Sequence, residues 1–289
     1  MRGRPLLGLG VAIIAVSWGA PLARLTQAAP LAVAMWRMVL ASLLLLPIAA
    51  ARGGVRVEGR HRRAALLAGV LLGLHFGLWI PSLWLTSVSA SVVLVATTPL
   101  WVLLASPRLL GVGIRARNLT SFGLAFLGVA VIAWGDVQLS WRALLGDALA
   151  LGGAVAGAGY LIIGKRVRTE VPLDRYLLLV NGTAAVALVA AVALSGVPPR
   201  PYTTVSWLPL IAMAVGPTLV GHTLLNWALA HLEAYRVNLA LLLEPVLASV
   251  WTWLLLGEIP PAYVPPGAAL VIGALALEYW PGRSEPREA

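Results

Sequence analysis

The sequence of 289 residues has no cysteine, a single lysine (Lys165) and few charged residues of any kind. Without cysteine, disulfide bonds and thiolate metal sites are excluded. Charged residues make up 11% of the chain, whereas a soluble domain carries about 25%, so a globule of this length would lack the polar surface it needs. The net charge of +10 would suggest nucleic-acid binding in a soluble protein. Here the arginines lie in short segments between apolar stretches, which is typical of membrane proteins and predicts no nucleic-acid partner.

The apolar residues gather in long stretches. They make up 60% of the sequence, and a transmembrane helix needs roughly 17–25 mostly apolar residues. We therefore predict an all-α integral membrane protein with ten transmembrane helices joined by short connections. The spans are predicted near Leu6–Ala23, Leu31–Ala50, Ala64–Leu85, Val88–Ser106, Leu119–Gly135, Leu144–Ile163, Arg175–Ser195, Trp207–Ala228, Ala234–Leu256 and Ala262–Trp280.

The basic residues predict the orientation of these spans. With ten spans, 17 of the 21 lysines and arginines fall on one side, and only Arg24, Arg142 and Arg200 fall on the other, while Arg37 lies inside the second span. Cytoplasmic connections of membrane proteins are enriched in lysine and arginine. We expect a multi-pass protein of the cell inner membrane with both termini in the cytoplasm.

A short motif occurs once in each half of the chain. Pro99 opens the sequence Pro-Leu-Trp-Val-Leu-Leu, and Pro245 opens Pro-Val-Leu-Ala-Ser-Val, 146 residues later. This offset predicts two five-helix repeats, at residues 6–135 and 144–280. Because five is odd, the second repeat enters the membrane from the opposite side, and the repeats are inverted. Inverted repeats are typical of secondary transporters, whose substrate sites lie near the midplane where the repeats meet.

Further motifs connect the sequence to a known family. The first half has Ser17-Trp18-Gly19 followed by Pro30 and Arg37, and the second half has Leu-Glu-Pro-Val at 243–246 and Leu-Leu-Leu-Gly-Glu at 254–258. These motifs resemble those of the drug/metabolite transporter superfamily, in the type with two EamA domains. The resemblance implies a ten-helix transporter. It names no substrate, since the superfamily includes exporters and exchangers of amino acids, metabolites, nucleotide sugars and drugs.

The sequence departs from this pattern at one point. Where the first repeat would have Gly-Glu, it has Gly111-Val112, so a pair of equivalent acidic residues is not expected.

Arg37 and Glu244 are ionisable residues inside predicted spans, where such groups are candidates for function. Arg37 belongs to the general family pattern, which favours a structural or gating role in which it binds helix ends or loop carbonyls. Glu244 either lies in the substrate pathway or bonds to backbone freed by Pro245.

Polar and aromatic side chains add further candidates, because polar groups within a bilayer must face protein or water. His222 and Asn226 share one helix face, as do His75 and Trp79. The alternatives are that the polar residues only join helices and that the deep tryptophans only pack. We predict a central substrate cavity lined by Trp18, His75, Trp79, Trp101, Tyr160, His222, Asn226 and Glu244. We predict structural or gating roles for Arg37, Asn181, Pro99 and Pro245.

The motifs that are missing narrow the function. The sequence has no P-loop for ATP, no cluster of metal ligands and no nucleophile elbow, so we expect no cofactor and no metal. We predict a secondary transporter that exports a small organic metabolite such as an amino acid by alternating access. A drug, nucleoside or sugar carrier is the alternative. A membrane-embedded enzyme would need a converging acid–base or metal set, and a receptor or scaffold would be favoured by a large soluble domain. The sequence does not decide between proton coupling and facilitated diffusion. It also does not decide whether the protein is a monomer or a homodimer.

Overall fold

The structure is a computed structural model that describes residues 3–52, 57–133, 140–256, 259 and 262–279. Within these residues the chain is helical and has no β-strand. The predicted span ends at Gly135 and Trp280 and the repeated Gly257-Glu258 lie outside the described residues. Seven helical segments are long and apolar enough to cross a membrane, and Ala116–Ile132 and Val264–Tyr279 are shorter apolar helices. The predicted class, an all-α multi-pass membrane protein, is confirmed.

The helices of the first half follow the predicted apolar stretches. Proline starts α3, where its missing N–H is not needed, and the Ser87 side chain accepts a hydrogen bond from the backbone of Ala90 at the start of α5. The helices are α1 (Gly3–Val16), α2 (Gly19–Arg24), α3 (Pro30–Ala51), α4 (Gly59–Leu85), α5 (Val88–Val95), α6 (Thr98–Leu109) and α7 (Ala116–Ala133).

The second half contains longer helices and one irregular segment. Ser140 caps the start of its first helix by accepting a hydrogen bond from Ala143 N. The elements are α8 (Trp141–Val167), α9 (Leu173–Ser195), a 3₁₀ turn (Thr204–Ser206), α10 (Trp207–Met213), a π-helical segment (Ala214–His222), α11 (Thr223–His231), α12 (Ala234–Leu241), α13 (Glu244–Leu256) and α14 (Val264–Tyr279).

The breaks within the predicted fourth and ninth spans correspond to each other. The predicted fourth span divides into α5 and α6, and the predicted ninth divides into α12 and α13. Adding 146 to the first and last residue numbers of α5 gives those of α12. Adding 146 to the first residue number of α6 gives that of α13. Pro99 and Pro245 each occupy the second position of the helix after the break, where proline fits a first turn. The two prolines that indicated the repeat therefore lie in corresponding helices.

The π-helical segment interrupts the long helical stretch that runs from α10 to α11. Pro217 lies inside it and cannot donate a backbone hydrogen bond. The Thr218 hydroxyl instead donates to the Met213 carbonyl five residues earlier, at 3.0 Å. A π segment within an α-helix is rare and often marks a functional site.

Helix α4 lies at the centre of the described structure and packs against α8 and α9. Small residues make the close approach to α8 possible: a Cβ on Gly153 would lie 3.2 Å from Trp79 Cβ, and one on Gly157 would lie 2.8 Å from His75 Nδ1. Close packing through glycine is usual between membrane helices. It fixes His75 and Trp79 of α4 against the glycine face of α8.

The connections between helices fall into two groups according to their contacts. In one group, Arg24 donates to the Leu83 carbonyl, Arg142 to the Trp84 carbonyl, and Tyr202 N to the Gln27 carbonyl. The other group contains most of the arginines and is called the basic end here. Its contacts are Arg60 with Glu170, Arg166 with the Leu109 carbonyl, Lys165 with the Leu232 carbonyl, and Arg117 with the Leu277 carbonyl.

Candidate substrate cavity

A cavity of about 70 Å³ lies where helices of both halves meet. Five of the eight residues predicted to line a cavity do so, as do Arg37 and Pro99, which were predicted to be structural or gating residues. The lining residues that matter for chemistry are Arg37, His75, Phe76, Trp79, Thr98, Tyr160, His222 and Glu244.

The cavity lies far from both ends of the helical stretches α4 and α12–α13. Glu244 is ten residues after the start of α12 and twelve before the end of α13, which places it about 15 and 18 Å from those ends at 1.5 Å per residue. His75 is similarly far inside α4. The helix breaks before Thr98 and Glu244 both border the cavity, so two corresponding helix starts meet there.

Arg37 of α3 is 1% exposed, and the protein fixes its guanidinium on two sides. Its Nε donates to Thr218 Oγ1 in the π segment at 2.7 Å, and its Cζ lies 4.0 Å from the centre of the Phe76 ring. Its Nη1 is buried without a hydrogen-bond partner among the described residues. A buried N–H without a partner is costly, so this atom is available for a ligand in the cavity.

Glu244 begins α13 and faces the same cavity. In the described part of the chain its carboxyl makes neither a hydrogen bond nor an ion pair, so the expected bond to backbone beside Pro245 is not seen. Its charge interacts electrostatically with that of Arg37 across the cavity, but the two groups are not in direct contact. The carboxyl is therefore free to meet a cation or a proton.

His75 and Trp79 lie one turn apart on α4, with their rings stacked at 5.9 Å between centres. His75 Nδ1 lies 2.8 Å from the Gly153 carbonyl. Since a carbonyl only accepts, Nδ1 carries the proton, which leaves Nε2 as an acceptor in the neutral ring. Trp79 is 4% exposed and its Nε1–H is buried without a partner in the described structure.

Tyr160 and His222 line the cavity side by side, with their ring centres 6.2 Å apart. The Asn226 amide donates both to the Tyr160 hydroxyl and to the His222 carbonyl. The edge of the His222 ring faces Phe76 at 5.4 Å between centres. His222 Nδ1 is also buried without a partner among the described residues.

Comparisons with known proteins identify the family of the chain. The model of the EamA-like transporter family matches the chain twice, over residues 4–134 and 144–280. The chain belongs to the EamA-like transporter family. It is therefore a multi-pass membrane transporter of the drug/metabolite transporter superfamily with two EamA repeats, and the family is one of transporters rather than enzymes.

A solved crystal structure also resembles this EamA-like protein. The two are 20% identical, the match covers 96% of this chain and 97% of the other, and the TM-score is 0.78. At this identity the likeness shows a shared fold. No curated protein sequence matches the chain.

Three residues predicted to line the cavity of this EamA-like protein lie elsewhere. Trp101 is 38% exposed on α6: it follows Pro99 by two residues, about 200° around a helix with 3.6 residues per turn, and so faces away from the cavity. Trp18 lies in the break between α1 and α2 and stacks on Trp251 at 4.6 Å. Asn226 lies one turn beyond His222, outside the cavity lining, and its amide donates a hydrogen bond to the Tyr160 hydroxyl.

The remaining predicted residues, Asn181 and Pro245, are not among those that line the cavity. Asn181 is buried on α9, and Pro245 follows Glu244 in the first turn of α13. Sequence reasoning missed Phe76 and Thr98, which line the cavity. Phe76 follows His75 directly, and an apolar residue beside a predicted polar face gave no signal. Thr98 corresponds to Glu244 at the offset of 146, and that register could have identified it.

Proposed function

We propose that this EamA-like protein is a secondary transporter that exports a small organic metabolite, best matched by an amino acid, through alternating access. The observation that carries the proposal is the placement of Arg37 and Glu244 on one mid-depth cavity without an ion pair between them. A metabolite with both an anionic and a cationic group would satisfy both. We assign export because the sequence motifs resemble a superfamily of exporters and exchangers.

The remaining lining suits the apolar part of such a molecule. Phe76, Trp79 and Tyr160 present aromatic rings, and Val16, Val95 and Leu161 present aliphatic side chains. Ligand sites are usually apolar cavities with a few placed polar groups. The aromatic rings also suit a planar nucleoside or drug, which is the alternative substrate class, although neither class needs both charges.

The broken helices support a transport mechanism. Helices that are interrupted at the substrate site are a recurring feature of transporters built from inverted repeats. Here α5/α6 and α12/α13 are interrupted at corresponding positions, and both breaks border the cavity. The cavity of about 70 Å³ is smaller than the roughly 300–1,000 Å³ of ligand pockets. The helices must therefore move apart to admit a substrate, as alternating access requires.

The contacts between connections support ten spans and inverted halves. In a ten-span arrangement the odd-numbered connections share one side and the even-numbered connections share the other. The contacts at each end join connections of the same parity, for example Arg24 with Leu83 at one end and Arg60 with Glu170 at the basic end. We propose ten spans in two inverted repeats, with the basic end and both termini in the cytoplasm of the inner membrane.

The function is tested by counterflow in proteoliposomes. Vesicles containing purified protein are loaded with an unlabelled amino acid, nucleoside or sugar, and uptake of the labelled compound is followed. We expect exchange of amino acids, reduced by Glu244→Gln and unaffected by Glu170→Gln, whose carboxylate is exposed at the basic end. Exchange restricted to nucleosides or sugars would replace the amino-acid assignment with the alternative class.

A further inference from the structure

Three buried polar atoms without partners belong to side chains that line the cavity. They are Arg37 Nη1, Trp79 Nε1 and His222 Nδ1, each without a hydrogen bond to a described residue, and all three side chains line the cavity. An indole N–H and a guanidinium N–H can only donate, and an imidazole nitrogen can do so when it carries the proton. Arg37 Nη1 and Trp79 Nε1 therefore each offer a donor with no acceptor among the described residues, and His222 Nδ1 adds a third donor in the tautomer that carries its proton there.

The three groups are held together by neighbouring side chains. Phe76 contacts all three: its ring lies 4.0 Å from Arg37 Cζ, and its centre lies 6.3 Å from that of Trp79 and 5.4 Å from that of His222. A Cβ on Gly19 would lie 3.7 Å from Arg37 Nη1 and 3.4 Å from Cη2 on the benzene edge of the Trp79 ring. The Gly19 of the family motif thus keeps a side chain away from Arg37 Nη1.

The orientation of Arg37 is fixed in advance. Thr218 occupies its Nε and Phe76 covers the guanidinium, which leaves Nη1 for another acceptor. Arginine matches a planar carboxylate especially well, and hydrogen bonds between charged groups are roughly twice as strong as neutral ones. The carboxylate of Glu244 does not supply the acceptor, since it makes no direct contact with Arg37.

We propose that Arg37 Nη1, Trp79 Nε1 and His222 Nδ1 form a subsite for the carboxylate of the transported molecule, with Glu244 receiving its ammonium group. This inference rests on the proposed function, and it adds a fixed orientation of the substrate. Each donor gains the acceptor that it lacks, and the opposed charges of Arg37 and Glu244 are balanced by one zwitterion.

The experiment compares three related compounds that differ in their charged groups. Leucine has both groups, 3-methylbutylamine lacks the carboxylate, and 4-methylpentanoate lacks the ammonium group. Binding to the purified protein in detergent is measured by isothermal titration calorimetry. Trp79→Phe keeps an aromatic ring and removes the N–H donor. Arg37→Lys keeps the positive charge and removes the planar guanidinium group with its several N–H donors. Trp101→Phe is the matched control, since Trp101 lies outside the cavity.

The expected result is a crossed pattern. Trp79→Phe and Arg37→Lys should each weaken the binding of leucine and of 4-methylpentanoate roughly tenfold, as for the loss of a hydrogen bond to a charged group. Neither substitution should change the binding of 3-methylbutylamine. Glu244→Gln should weaken the binding of leucine and of 3-methylbutylamine and leave the binding of 4-methylpentanoate unchanged. Trp101→Phe should change none of them.

The subsite is overturned if Trp79→Phe weakens the amine as much as the two carboxylates, or if none of the compounds binds the wild-type protein. The proposed function is judged separately by counterflow. Amino-acid exchange without the crossed pattern would keep the transporter assignment and reject the subsite. Crossed binding without counterflow would keep the subsite and reject amino-acid transport.

Discussion

Thr218 Oγ1 accepts a hydrogen bond from Arg37 Nε at 2.7 Å, and this bond joins the first repeat to the π-helical segment of the second. The same hydroxyl donates to the Met213 carbonyl, so it connects the fixed guanidinium to the irregular backbone. Both side chains are almost fully buried. The bond therefore holds the position of Arg37 at the boundary between the repeats.

Thr218→Val should destabilise the protein and weaken substrate binding. Valine has nearly the same shape, but it leaves Arg37 Nε buried without a partner, which costs about 1–3 kcal/mol. The melting temperature in detergent should fall, and the leucine concentration giving half-maximal exchange should rise. Thr183→Val is the control, since the Thr183 hydroxyl bonds only to the Leu179 carbonyl of its own helix. Equal effects of both substitutions would assign the loss to general helix packing.

Gly157→Ala should disturb the cavity through His75. The new Cβ would lie 2.8 Å from His75 Nδ1, the atom bonded to the Gly153 carbonyl, so the ring must turn and the bond must break. We expect exchange to fall about tenfold, which corresponds to ~1.4 kcal/mol. Gly152→Ala, on the same helix, would meet only the flexible end of Leu78 at 3.2 Å and should retain exchange. A fully active Gly157→Ala would show that the position of His75 is unimportant for transport.

The broad fold could be predicted because the apolar runs are long and the arginines are unevenly distributed. The helix breaks inside the spans were harder to predict. Pro99 and Pro245 indicated the repeat but not that both helices break before them, because proline is also tolerated inside a continuous membrane helix. Pro217 likewise did not indicate whether its helix would continue as an α-helix or change to a π-helical segment. Local sequence does not decide between a kink and a break; the packing of neighbouring helices does.

The cavity could be predicted only in part for a related reason. Depth along a span can be predicted from sequence, and Trp101 lies on α6 three residues after its first residue, Thr98. The direction in which a side chain points depends on how each helix is rotated, and the Trp101 indole points outward, where its N–H donates to Thr97 Oγ1 at 3.3 Å. His75 and Tyr160 were easier, because a polar group in a membrane helix must face the protein interior or water.

The absence of cysteine makes the orientation directly testable. Single cysteines replacing exposed Arg115 at the basic end and exposed Arg200 at the other end should react differently with a membrane-impermeant maleimide in intact cells. We expect labelling at position 200 and, only after the membrane is permeabilised, at position 115. The reverse pattern would invert the proposed orientation. Labelling of both sites in intact cells would contradict the proposed alternation of spans.

Glu244→Gln tests whether export is coupled to protons. Glutamine keeps the shape of the side chain and cannot titrate. The groups that face Glu244 across the cavity are Arg37, His75, His222 and Tyr160, and the fixed charge of Arg37 favours an ionised carboxylate while the low-dielectric surroundings oppose it. A carboxyl between these influences, with no hydrogen-bond partner of its own in the described structure, can gain a proton on one side of the membrane and lose it on the other.

Under this hypothesis, Glu244→Gln vesicles should still exchange leucine at saturating concentration but should fail to accumulate it against a gradient when a pH difference is imposed. Wild-type vesicles should accumulate it, and the accumulation should disappear when a protonophore collapses the pH difference. His222→Gln separates the two candidate titrating groups: retained accumulation in that variant assigns the proton to Glu244 alone. If Glu244→Gln accumulates leucine as well as the wild type under the same pH difference, Glu244 is not the coupling group. If the wild type never accumulates leucine, the transporter works by facilitated diffusion, and the unpaired carboxyl serves substrate binding only.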